Sequence, residues 1–177
     1  MRLSACVAAA AVASALVLPA AVNTTAAATP WCAADSLSVS TAPPIPPGPE
    51  DEFVYFDLFL TNVSEQTCTM QGYPGVDFLG PDDPMLGGPV IHLARTGGDV
   101  QPVVLAPGGS ATSLLGFQIK TSDVGPQPAW PPTTIVVTPP DSTTQLQIPW
   151  PSDGYTIQQI GDGTTNAATV GPLSLSE

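Results

Sequence analysis

Residues 53–61 read FVYFDLFLT, and the alternation within them constrains the fold more than any other stretch. Val54, Phe56, Leu58 and Leu60 are all apolar, whereas Phe53, Tyr55, Asp57, Phe59 and Thr61 are mixed. Successive side chains of a strand point to opposite faces, so this parity predicts a β-strand with one buried and one partly wet face. The β-branched and aromatic content agrees. A helix would set Asp57 beside Phe53 and Thr61 and leave no clean polar face. The mostly polar run Asn62-Val63-Ser64-Glu65-Gln66 suits a hairpin turn into a second short strand over 67–71, which carries Cys68 and Met70. Gly72-Tyr73-Pro74-Gly75 then predicts a sharp corner. The proline holds Tyr73 out of the helical region, and the glycines tolerate positive φ.

The rest of the chain repeats this short-strand grammar. Extended patterns are expected over 36–40, 76–79, 90–94, 100–105 (interrupted by Pro102), 111–120, 135–138, 145–148, 155–160 and 170–175. In 111–120, Leu115, Phe117 and Ile119 share one face. About nine to eleven short strands, turn signals between them and no convincing helix predict an all-β sandwich or barrel. The 22 prolines fall partly in stiff loops over 41–52 and 121–132. A hydrophobic content of 43% argues against disorder. One domain over 29–177 is the expected organisation, with no internal repeat.

Residues 1–28 read as a secretory signal peptide. Arg2 is the basic start, an alanine-rich apolar run follows, and Ala26-Ala27-Ala28 supplies small residues for cleavage before Thr29. Pro19 and the weakly apolar alanines disfavour a retained anchor, so no stable membrane span is expected after cleavage. Leu3-Ser4-Ala5-Cys6 imitates a lipoprotein box but precedes any apolar region. Loss of the leader removes Cys6 and leaves Cys32 and Cys68. An even number of cysteines in an exported chain predicts one disulfide. A redox-active thiol pair would need a C-x-x-C spacing, which is missing. The expected location is therefore secreted or extracytoplasmic, in the cell envelope.

The run TNVSEQTCTMQGYPGVDFL, residues 61–79, resembles the signature of DUF4232, a family of exported actinobacterial proteins: an N-x-S turn, a cysteine, then a GYP-G-V corner. The resemblance extends to Trp31-Cys32 and to LAPGGSATSLLGF, residues 105–117. It implies an immunoglobulin-like antiparallel β-sandwich and carries over no catalytic residue. Members often have two further cysteines in the C-terminal half. This chain has none after Cys68, so no second disulfide is expected.

Charge excludes some functions. Fifteen acidic residues against three lysines and arginines give a net charge of −12. Nucleic acid is an improbable partner for such a surface, and adsorption to an anionic membrane is disfavoured. Catalytic chemistry is thinly provided. His92 is the only histidine, and no G-x-S-x-G surrounds a serine. Lys120 is the one lysine available for a Schiff base. Asp57, Asp77 and Asp99 would have to meet in space to act as paired carboxylates. No cofactor fingerprint occurs. Two binding readings remain. In the first, Trp130 and Trp150, each beside proline, line an apolar groove for a protein or glycan of the cell envelope, or else cap the ends of the core. In the second, His92, Met70 and Met85 hold copper. Calcium would need Asp82-Asp83, or Asp153 and Asp162, in loops that lack acids at alternate positions. Asn62-Val63-Ser64 and Asn23-Thr24-Thr25 match the glycosylation sequon, the latter inside the leader. The expectation is a non-enzymatic interaction domain, with copper handling as the alternative.

Overall fold

The computed structural model describes residues 28–48, 51, 53–82, 89–119, 129–151, 155–158 and 168–176. Met85, Lys120, Asp83, Asp153, Asp162 and nearly all of the expected leader over 1–28 lie outside them. Among the described residues the regular structure is almost all strand, apart from one 3-10 turn at Ala34–Ser36.

The stretch read first forms the long strand β2. After β1 (Leu37–Thr41), β2 runs Phe53–Asn62, with every even position fully buried. Next come β3 (Cys68–Gln71), β4 (Gly75–Leu79), β5 (Val90–His92), β6 (Ala94–Arg95) and β7 (Pro102–Leu105). The expected 90–94 strand is thus split at Leu93, whose N–H donates to Val76 O instead of continuing the ladder. Pro102, lacking an N–H, opens β7 rather than interrupting it. Strand β8 spans Ser110–Gln118, followed by β9 (Ala129–Trp130), β10 (Thr134–Thr138), β11 (Leu146–Pro149), β12 (Ile157–Gln158), β13 (Ala168–Val170) and β14 (Ser174–Leu175).

Two main sheets form the layers of a sandwich. One is six-stranded, in the order β1-β2-β8-β13-β6, with β14 also on β8. The other is four-stranded, in the order β11-β10-β4-β5. Pairings are antiparallel except β13 with β6. Strands β3 and β7 form a separate ribbon, as do β9 and β12. The Asn62–Gln66 turn is therefore not a hairpin turn. Strand β2 pairs with β1 and β8, while β3 pairs with β7. The turn carries the chain out of one layer and into the ribbon. Hairpin chemistry in a loop permits pairing of its flanking strands, but a better apolar partner elsewhere can win.

Between the layers, Phe56 and Phe117 of the six-stranded sheet meet Phe78 of the four-stranded sheet and Trp150. The ring centroids lie 4.8 to 6.3 Å apart in edge-on geometry. Such pairs add about 0.5–1.5 kcal/mol each beyond area burial. Trp130 is fully buried and donates from Nε1 to Pro81 O at 2.9 Å. Gly80 makes that packing possible. A Cβ there would lie 2.5 Å from Trp130 Cζ2 and 2.9 Å from Pro131 O. Gly80→Ala is expected to cost about 1–3 kcal/mol through overpacking, read as a lower urea midpoint with an unchanged m-value.

Strand 170–175 is broken in the middle. Gly171 N–H still donates to Leu114 O, but Leu173 turns into the core and its N–H donates to Gly72 O. Pro172 has no N–H to offer the β8 ladder, so the chain arches away there before β14 returns.

Candidate functional site

Cys32 and Cys68 form the expected disulfide, with Cα atoms 4.9 Å apart and both residues buried. Cys68 opens β3. Cys32 N–H donates to Thr69 O and Thr69 N–H donates to Pro30 O, both at 2.8 Å. The bond therefore pins the N-terminal segment alongside β3.

The three tryptophans divide differently from the groove reading. Trp130 has no exposed surface, and Trp150 is half-buried against the phenylalanine cluster. As placed, the two indoles serve the core and its edge rather than an open groove. Trp31 is the exposed one, at 53%. Nothing in the spacing of tryptophan and proline distinguishes these three environments, because each is set by strands distant in sequence.

Of the copper set, Met85 lies outside the described residues, and the other two stand in different surroundings. Met70 is buried in the β3–β7 ribbon, while the His92 side chain is 76% exposed and bonds Asp77 Oδ1 through Nδ1 at 2.7 Å. That pair is a direct cross-strand register between β4 and β5 on the outer face of the four-stranded sheet. Among the described residues, no group of three or more histidine, cysteine or acidic side chains is placed to hold a metal ion. Asp57 projects from the outer face of the other sheet, so it does not meet Asp77. The proline-rich segment after β1 is not a free loop. Ala42 N–H donates to Asp57 O and Ile45 N–H to Tyr55 O, so it runs along β2.

The sheet register builds a site that single-strand reading missed. On the outer face of the six-stranded sheet lies a depression of about 350 Å³. Its row is set by pairing: Tyr55 opposite Gly116 opposite Thr169, and Asp57 opposite Leu114. Gly116 has no side chain, and the Tyr55 ring leans into that space. A Cβ there would meet Tyr55 Cε1 at 2.7 Å and Thr169 Oγ1 at 3.0 Å. Phe53 stacks behind Tyr55, with centroids 6.1 Å apart, and supports the ring. The arch at Pro172 forms the far wall. Leu114 and Tyr55 remain 47% and 42% exposed. Hydroxyls of Thr112, Thr169 and Ser174 edge this apolar surface, and among the described residues Asp57 is its one carboxylate. The alternation in 53–61 did mark Tyr55 and Asp57 as outward. The glycine and the arch that make their surroundings concave come from residues 116 and 171–173, which only the fold brings near.

No described helix is long and apolar enough to cross a membrane. No curated protein and no solved structure matches the chain. Residues 32–174 match the family described as Domain of unknown function (DUF4232), a span that takes in the disulfide, both sheets and the Tyr55 depression. The chain belongs to the DUF4232 family.

Proposed function

We propose that this is an exported, non-enzymatic contact domain of the cell envelope or extracellular space, which holds a protein or glycan partner against the outer face of its six-stranded sheet. The observation that carries the reading is the depression at Tyr55. It is an apolar surface of two large, exposed side chains, Tyr55 and Leu114, inside a rim of hydroxyls and one carboxylate. Exposed apolar surface with a polar rim is the anatomy of a contact site. The Cys32–Cys68 disulfide supports an oxidising compartment, and the net charge of −12 supports solubility there.

The test uses the purified domain and envelope fractions of its host. Leu114→Lys places a cation opposite Asp57 in the depression without touching the core. Retention on the envelope fraction is expected to fall at least about tenfold, the loss of one central contact, with an unchanged melting temperature. Full retention by a folded Leu114→Lys variant would sink the proposed face. In the same preparations, a mature chain beginning near Thr29 is expected.

A further inference from the structure

We infer that the occupant of the Tyr55 depression is a basic side chain, arginine or lysine, presented by a protein partner. This rests on the contact-domain reading and names its chemistry. Asp57 is half-buried, and among the described residues no hydrogen-bond donor or cation reaches its carboxylate. A carboxylate at the edge of an apolar depression is partly stripped of water, so a cation placed there gains more than on an open surface. Arg95 does not fill that role. It is the one lysine or arginine among the described residues, and its guanidinium lies over the Tyr73 ring at 5.5 Å.

The rest of the lining matches an amphipathic cation. An arginine or lysine stem is aliphatic and packs on apolar surface while its head stays polar. Leu114 and Pro172 offer that surface. The Tyr55 ring offers a π-face two residues from Asp57 on the same side of β2, so a head group can engage ring and carboxylate together. Arginine suits this better, because its planar fork both stacks and pairs with a carboxylate. Long-range charge acts in the same direction. A net charge of −12 attracts a basic partner and speeds its association. A second copy of this chain is a poor occupant, with three basic residues among fifteen acidic ones. A neutral glycan would gain nothing from the field.

The experiment is an amide NMR titration of the disulfide-bonded domain with an uncharged-ended glycine peptide carrying one arginine. The matched peptide carries citrulline, which keeps the shape and removes the charge. A neutral oligosaccharide is titrated in parallel. The arginine peptide is expected to shift Tyr55, Asp57, Leu114 and Thr169, with the citrulline peptide weaker by about tenfold. Asp57→Asn is expected to abolish that difference while leaving the spectrum folded, and raised salt to weaken binding. Equal affinity for the two peptides, or an unaltered arginine preference in Asp57→Asn, would overturn the inference. Binding of the oligosaccharide alone at these residues would also overturn it, while leaving the contact face intact. If the arginine peptide binds elsewhere and Leu114→Lys keeps full envelope retention, both the inference and the contact-face reading fall.

Discussion

Replacing Asn62 with alanine is expected to cost the domain about 3–4 kcal/mol and lower its melting temperature by roughly 10 °C. Asn62 ends β2 and is fully buried. Its Nδ2 donates to Gln66 O at 2.7 Å and to Leu105 O at 3.0 Å. Its Oδ1 accepts from Ser64 N–H at 3.0 Å and from Ser64 Oγ at 2.8 Å. Its backbone N–H donates to Gly109 O, and its carbonyl accepts from Gly108 N–H. One side chain thus ties the exit turn of β2 to the end of β7, and its backbone holds the turn that opens β8. Alanine keeps the backbone bonds but leaves Leu105 O, on a fully buried residue, without its side-chain partner, and frees the turn. An unmet buried polar group costs about 1–3 kcal/mol, and the turn bonds add to this. Urea titrations of Asn62→Ala and Ser64→Ala check the argument. Ser64→Ala, on the wetter side of the network, is expected to lose about 1 kcal/mol. Equal midpoints for Asn62→Ala and the unaltered domain would refute it. The same bonds explain the N-x-S pattern without a glycan: Nδ2, the atom a glycan would take, is already committed.

Cys32→Ser is the second large effect, about 3–4 kcal/mol by the chain-entropy estimate for a loop of this length. The disulfide joins positions 36 apart, and the enclosed segment contains β1 and β2. In the unfolded chain the bond limits how far those strands can separate. In the folded chain it anchors the segment before β1 to β3. The loss is a large part of the ~5–15 kcal/mol that holds a typical domain. Melting under non-reducing conditions, with and without the substitution, measures it. Reductant added to the unaltered domain should reproduce most of the shift. Coincident melting curves for Cys32→Ser and the unaltered domain would show that the loop is held by packing alone.

Much of this fold was legible locally. The parity of Val54, Phe56, Leu58 and Leu60 assigned the buried face of β2, because an alternating run has only one register that hides four large apolar side chains. Once Cys6 was assigned to an expected leader, cysteine number pointed to the Cys32–Cys68 bond, since the two remaining thiols allow one pairing. The GYPG corner is a backbone constraint carried by its own residues, and the signature around it placed the chain in its family. These features depend on neighbours a few positions away.

What the tertiary structure decided depends on neighbours dozens of positions away. The turn after Asn62 resembled a hairpin, yet β2 found β8, whose apolar alternation over Ala111, Leu115 and Phe117 matches its own, and β3 found β7. Trp130 and Trp150 stand in similar proline contexts, and the packing of distant strands, not that context, determined how deeply each is buried. The Tyr55 depression requires Gly116 opposite the ring and the Pro172 arch beside it, a coincidence of register among β2, β8 and β13. Side-chain period and turn chemistry are properties of a short stretch of chain. Which strand pairs with which, and therefore which outward residues share a concave surface, follows from how the whole set of apolar faces is buried at once.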